Sequence, residues 1–498
     1  MKAVSAILAL LPVLGFSQPS LNWDNYPGGV SVAADAQNNV YSVNWDYNPA
    51  GDITLTKRDD AGNILWEVSY DNTNTSRHEV ATWVETDSED NIIVAGTIRS
   101  GYSNPVDANS LLMKFDPSGN LVWRVVYETD FDGSSTKKCL VDSQDNIYVL
   151  GFGFNGTGMS GQVKKFSPEG TVLWSYHDYA GIGKPINFKF TPDNAIIISA
   201  RSIFGSVNGY SKIDLEGNTL WTLTGVYSLT VGDAAGDSNG NSYLINGEYV
   251  VQNAGSIVTK ISPAGTAVWE QVNTMAGLRV EVGSDNFPVI SGFPSSGSAG
   301  AAFMKYNESG DVMWQNLNAD GPENNLLAHA QMKLDGSDAA YLAASIMTQM
   351  AFCKVNSNGI TEWTVVVPGG YAASMDFGTD NSVFVTGGAT ARILQGSVVT
   401  SVNESRINVE KTNVFPNPFH SDVNITLNLS EPQLVSMWIV DACGQVVEEL
   451  VNTRLTSGSY QYRWIPGGAL NNEFSNGIYF LNIRKGGTLE TKKIIYIN

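Results

Sequence analysis

A ten-residue pattern recurs seven times along this chain, and no other feature restricts its fold as strongly. The copies are KRDDAGNILW (57–66), KFDPSGNLVW (114–123), KFSPEGTVLW (165–174), KIDLEGNTLW (212–221), KISPAGTAVW (260–269), KYNESGDVMW (305–314) and KVNSNGITEW (354–363), spaced 45 to 57 residues apart. Each has a basic residue, an apolar one (Arg58 in the first copy), a polar turn with glycine, and a tryptophan. Between them runs a second pattern in eight copies, a polar turn entering a short apolar strand, as in DAQNNVYSV (35–43), DSEDNIIVAG (87–96) and DSQDNIYVLG (142–151). Self-similarity at this period means that each unit is a small module that must stack on its neighbours to bury its apolar side.

Alternating apolar and polar residues, with β-branched enrichment and turn clusters, make each unit four strands, a to d. In Asp116-Pro117-Ser118-Gly119 the proline presets φ and the glycine accepts a left-handed backbone, so the c–d link is a tight hairpin. The Asp and Asn side chains of the a–b turns are expected to hydrogen-bond their own backbone. Four-stranded units closing into a ring predict an all-β fold, a β-propeller over residues 18–400, whose closure protects the sheet edges. Eight a–b patterns against seven c–d patterns leave one unit short, while Ser20-Leu21-Asn22-Trp23 reads as an orphan d strand. The expectation is an eight-bladed ring latched by that N-terminal strand, with seven blades and ragged ends as the alternative. Trp23, Trp66, Trp123, Trp174, Trp221, Trp269, Trp314 and Trp363 are then docking residues between neighbouring sheets, each burying ~150 Å² or more.

The tryptophan repeat over residues 20–400 resembles the docking motif of quinoprotein-type propellers and of short secreted bacterial propellers. That resemblance implies the fold. The cofactor-binding residues of quinoproteins have no counterparts here, so neither cofactor nor metal is expected. Asp-rich turns such as 142–146 lack the spacing and distal Glu of an EF-hand and read as structural turns.

After a polar linker (401–410) the period stops. Residues 411–498 carry short strands and regular turns that predict a small β-sandwich. Pro416-Asn417-Pro418 near its start, Gly477-Ile478-Tyr479 and the basic pair Lys492-Lys493 resemble the C-terminal sorting domain read by the type IX secretion machinery of certain Gram-negative bacteria. The resemblance implies that machinery as partner, passage across the outer membrane, removal of the domain, and release or attachment to surface lipopolysaccharide. Cys443 stands where that pattern has a polar residue. A carbohydrate-binding or adhesive sandwich retained by the mature protein is the alternative. Residues 1–17, with Lys2, an apolar run and small residues before Gln18, read as a secretory signal peptide, and no other apolar run is long enough for a transmembrane segment.

The 49 acidic residues against 29 basic ones give a net charge of −20. Residues 411–498 hold seven of each sign, so the whole excess lies upstream. An acidic body repels phosphate backbones, which excludes nucleic acid as a partner. Cys139, Cys353 and Cys443 are too few and too scattered for a disulfide framework and read as small buried apolar residues.

Features present in every unit are structural, so function belongs to what varies: the b–c and d–a loops on one face of the ring. Trp45, Tyr47, Tyr102, Phe131, His177 and Tyr179 on that face are candidates for stacking on sugar rings or peptide side chains. Arg77, His78, Lys137, Lys184, Arg279 and His329, at or near the starts of innermost strands, are candidates for a basic channel mouth suited to an anionic ligand. No HExxH, nucleophile elbow or phosphate loop appears, so no catalytic residue is named. The sequence therefore reads as a secreted or surface-exposed binding protein with an extracellular glycan or protein ligand. The alternative is a polysaccharide lyase or hydrolase with acids drawn from different blades.

Overall fold

The computed structural model describes residues 20–25, 28–45, 52–71, 77–99, 108–128, 132–154, 159–177, 183–201, 207–227, 232–250, 253–273, 275–294, 301–317, 319, 326–346, 349–368, 370–394, 412–429, 433–441, 446–456, 458–466, 476–485 and 488–497. The leader and linker segments proposed from the sequence lie outside them. The chain divides into two compact units, Met1–Val398 and Val399–Asn498.

In the first unit, eight four-stranded antiparallel sheets follow one another among the described residues, as in a propeller. Seven are up-and-down sheets of consecutive strands, beginning with Ser31–Ala34, Val40–Trp45, Ile53–Arg58 and Ile64–Tyr70. The eighth joins Ala372–Phe377, Val383–Gly387 and Thr390–Leu394 to the N-terminal strand Ser20–Asn25. Ser20 faces Leu394 and Trp23 faces Arg392, the register that Trp66 keeps with Lys57. Arg392 thus holds the place of the repeat lysine.

The repeated residues meet one another. The repeat lysine reaches the aspartate of its own a–b turn, as in Lys114–Asp87 at 2.8 Å, and the strand-b tyrosines Tyr41, Tyr148 and Tyr341 donate to the same aspartates at 2.9 to 3.1 Å. Six of the tryptophans, Trp66, Trp123, Trp174, Trp221, Trp269 and Trp314, then bridge to the next sheet. The indole N–H groups of Trp66, Trp123 and Trp174 donate at 3.0 Å to the carbonyls of Pro117, Pro168 and Leu215, inside the following c–d turn. The ring lies against the glycine of that turn: a Cβ added to Gly170, whose φ is +82°, would stand 3.1 Å from the Trp123 ring. The repeat needs its glycine for conformation and for close approach. Trp363 has no such hairpin ahead of it, because the closing sheet is completed by the other end of the propeller, and it is buried in the apolar core there. Of Trp23 the structure describes the backbone only.

As expected, turn aspartates accept bonds from their own backbone, as Asp35 does from Gln37 and Asn39. The turns also join neighbouring sheets. Asn38, Asp90, Asp145, Asn194, Asn286, Asp338 and Asn381 all have φ near +60° and hold the same turn position. Several of these side chains accept bonds from the preceding sheet, Asp145 from Ser88 at 2.9 Å and Asn38 from Thr379 at 2.7 Å across the closure. Asp and Asn suit that position because they tolerate the left-handed region and carry a short acceptor.

In the second unit a three-stranded and a four-stranded sheet enclose one apolar core that includes Phe419, Trp464, Leu481 and Ile494. Cys139 and Cys353 are buried free thiols, and Cys443 lies outside the described residues.

Candidate functional site

The innermost strands of the propeller, strand a of each sheet, surround an axial cavity of about 620 Å³. Its volume falls in the range of small-molecule sites, ~300–1,000 Å³. A straight strand would send successive side chains to opposite faces. Here six of the eight innermost strands carry a register shift at the same point, between Ala81 and Trp83, Thr136 and Lys138, Pro185 and Asn187, Gly277 and Arg279, His329 and Gln331, and Ala372 and Ser374. A bulge re-aims one side chain. Adjacent pairs such as Thr82 with Trp83, Lys137 with Lys138 and Ile186 with Asn187 consequently share the cavity wall.

Charges lie in two tiers along the axis. Nearer the a–b turns is a tier whose members satisfy one another. The Lys189 ammonium contacts Asp233 at 2.7 Å and Glu281 at 2.8 Å and donates to the Val280 carbonyl. Lys333 contacts Asp376 at 2.7 Å, and Lys138 donates to Asn187 Oδ1 and to the Phe188 carbonyl while lying over the Trp83 ring. Trp83 donates to Glu85 at 2.7 Å. Burial raises the Glu85 carboxyl and lowers the Lys138 ammonium to about 8. Asp233 behaves oppositely: although burial pushes it up, Lys189 and Arg279 hold it below the ordinary carboxylate range.

Nearer the b–c and d–a loops the second tier is cationic. Lys137 and Arg279 line the cavity, and Lys137 is lowered by enclosure within the ring and by the positive charges of Lys184 and Arg279. No carboxylate forms an ion pair with Lys137 or Lys184 among the described residues. Lys184 lies over the Phe152 ring, 4.5 Å from its centroid.

The other sequence candidates divide. Arg77 donates to Asn109 at 2.8 Å and His78 is a buried strand residue paired with Arg99, so neither lines the axial cavity. Lys137 is itself the bulged residue of the strand Asp132–Val141, and Arg279 follows the bulged Leu278 within Met275–Val282. Trp45 packs against the apolar core of the first two sheets, and His177 sits on an outer strand against Gln162. His329 is placed by its backbone alone, in the strand Leu326–Leu334. Tyr47, Tyr102, Phe131 and Tyr179 lie outside the described residues.

The structure adds what sequence reading did not name: Trp83, Lys138, Lys189, Asp233, Glu281, Gln331 and Lys333. Their signal is positional. Two residues before each a–b turn the chain places Glu85, Lys189, Glu281, Lys333 and Asp376, where other units carry Ala33, Leu140 and Ala235.

A separate acidic group lies on the loop side of the first two sheets. Carboxylate oxygens of Asp52, Asp71 and Glu79 fall within 4.8 Å of one another, a spacing able to hold a cation. Glu79 is fully buried, and burial pushes its carboxyl up to about 7, with Asp71 and Asp52 adding to the shift and Arg77 opposing it. A carboxyl raised on folding takes up protons in the native state, so stability falls as pH rises through about 4.5 to 7. Glu79→Gln should flatten that slope. Melting temperatures at pH 5 and pH 8 check this, with ~2–4 °C less difference expected in the variant.

In the second unit the three sorting motifs converge. The Asn417 amide donates to the Lys493 carbonyl at 2.8 Å and accepts from the Ile495 amide at 2.9 Å. Phe419, next to Pro418, exchanges backbone bonds with Ile495 and Ile497, and the strand starting at Gly477 pairs with that same last strand, Phe480 facing Lys493 and Leu481 facing Lys492. Pro416 precedes this junction. Residues 413–498 match the family described as a secretion system C-terminal sorting domain. This segment is a type IX sorting domain. The sorting domain implies engagement of the secretion machinery and delivery to the medium or the outer surface.

The propeller is similar to solved structures. A search of curated proteins returns no match. The Dos1 propeller is similar with a TM-score of 0.51 and 11% identity, over 76% of this chain and 95% of that one. The WD40 β-propeller domain of Doa1 gives 0.43 and 11%, over 77% and 98%. A Bacteroides caccae protein of unknown function gives 0.34 and 10%, over 63% and 89%. Identity this low establishes the fold and nothing about a ligand.

Proposed function

We propose that the propeller is an extracellular binding module, delivered by its sorting domain, whose ligand enters the axial cavity from the face of variable loops. One observation carries this reading. Asp233 and Glu281 are committed to Lys189 and Asp376 to Lys333, and Glu85 accepts from Trp83, whereas Lys137 and Lys184 have no ionic partner among the described residues. General acid–base work requires a carboxyl poised to exchange a proton with the substrate. Cations without counter-charges hold an anion instead. Glycan capture, adhesion and protein interaction all fit a module of this kind, displayed on the cell or released.

The full chain applied to polysaccharide and peptide arrays should show saturable retention without product. Product formation would replace the module by an enzyme. That second reading, a polysaccharide lyase or hydrolase, has one observation in its favour: Glu79, raised to about 7 beside Asp52 and Asp71, is matched to proton transfer near neutral pH. If it holds, Glu79→Gln abolishes product formation and leaves retention intact.

A further inference from the structure

We propose that the ligand of the axial cavity is an acidic saccharide, a sugar bearing a carboxylate or sulfate, with its oxyanion at Lys137, Lys184 and Arg279 and its ring deeper in the cavity. This rests on the axial cavity being the binding site.

The hydrogen-bond inventory of the wall favours such a molecule. The unspent groups are mainly donors. Lys137 is exposed to the cavity and spends none of its three N–H bonds on the described residues. Gln331 gives its carbonyl oxygen to the Met375 amide at 2.8 Å, which leaves its NH₂ group to donate. Thr82 spends its hydroxyl proton on the Ala95 carbonyl and keeps lone pairs for a hydroxyl. A wall richer in donors than acceptors selects a ligand richer in acceptors, which oxyanions are. A purely apolar anion would waste Gln331 and Thr82, and a neutral sugar would leave the lysines uncompensated.

The charge pattern adds direction. The body of the protein carries the −20 net charge, yet the end of this cavity toward the variable loops carries a cationic tier above a tier of internal ion pairs. Low-dielectric walls focus the field of such a tier, so an anion is drawn to the mouth and the ring enters toward Trp83. An acidic exterior around it disfavours long polyanions wrapped over the surface. A chain end or a short oligosaccharide fits better than the middle of a polymer.

The test is calorimetric titration of the full chain with three probes: a galacturonate disaccharide, a 6-sulfated N-acetylglucosamine and neutral galactobiose. Saturable binding of at least one acidic probe, ten-fold or more above the neutral sugar and weakening with added salt, is expected. Preference between the two acidic probes identifies carboxylate or sulfate as the source of the oxyanion. Lys137→Gln together with Lys184→Gln should weaken acidic-probe binding at least ten-fold while the melting temperature stays unchanged. Equal binding of acidic and neutral probes, no binding of either acidic probe, or indifference to the double substitution each overturns the proposal. Array retention of a neutral glycan or peptide that ignores the same substitutions overturns it too, while leaving the module reading intact.

Discussion

Trp123→Ala should lower the stability of the propeller by about 3 kcal/mol, near the lower end of measured aromatic-to-alanine losses. The indole is half-buried, which argues against the upper end, but its loss removes three things together. It packs into the core shared by the second and third sheets, donates to the Pro168 carbonyl, and covers Gly170. Gly170→Ala attacks the same dock from the other side, because its φ of +82° and its 3.1 Å approach to the indole both penalise a Cβ. In the double variant the steric part of that penalty disappears, since alanine leaves room where the ring stood. Urea unfolding of the two single variants and the double should therefore show a combined loss smaller than the sum by ~1 kcal/mol. Strict additivity would mean that the indole and the glycine are not one joint.

Lys189→Met should cost about 3–5 kcal/mol at neutral pH, the range for a buried ion pair deprived of one partner. The lysine holds two acids from two other sheets, the buried Asp233 and the half-buried Glu281. In the native protein, Asp233 is held low by Lys189 and Arg279 against the upward push of burial, so its stabilisation is present above the ordinary carboxylate pKa and is lost as pH falls. Without the lysine, burial dominates and both carboxyls rise, so the variant is penalised most where they are forced to ionise. The gap to the native protein should be widest near pH 7 and narrow toward pH 4.5. A triple variant that also carries Asp233→Asn and Glu281→Gln should recover most of the loss. Thermal unfolding at the two pH values checks both statements, and a gap independent of pH would show that Lys189 contributes packing alone.

Much of the scaffold was readable because it repeats. Seven tryptophans at a fixed place in a ten-residue pattern announced a joint, and the glycine four residues ahead announced a left-handed turn. The pairing of Ser20–Asn25 with Thr390–Leu394 followed from an orphan strand at one end and a missing strand at the other. The cavity was much less legible. Lys137 and Lys138 are neighbours, and period-two alternation places one of them behind the sheet. The bulge that lets both line the wall has no residue signature: the bulged residues are Thr82, Lys137, Ile186, Leu278, Ala330 and Ala373. The ion pairs Lys189–Asp233 and Lys333–Asp376 join different sheets, and separations of 44 and 43 residues leave no local spacing to notice. Lys137, Lys184 and Arg279 stood in the sequence beside Arg77 and His78, which do not line the cavity, and no local feature separates the two sets.

Closure by the first strand also decides where mechanical load falls. Ser20 lies opposite Leu394, so the propeller is entered and left at the same sheet. A protein held at the cell surface through its C-terminal side and pulled by a captured ligand feels tension first along Thr390–Leu394. That strand is clamped on one side by Val383–Gly387 and on the other by Ser20–Asn25. Bonds of both ladders resist sliding together, and the Asn38–Thr379 contact ties the same sheet to the next one round the ring. Trimming a few residues from the N-terminal side would remove one of the two clamps, turning a strand loaded in shear from both flanks into an edge strand that can be peeled away.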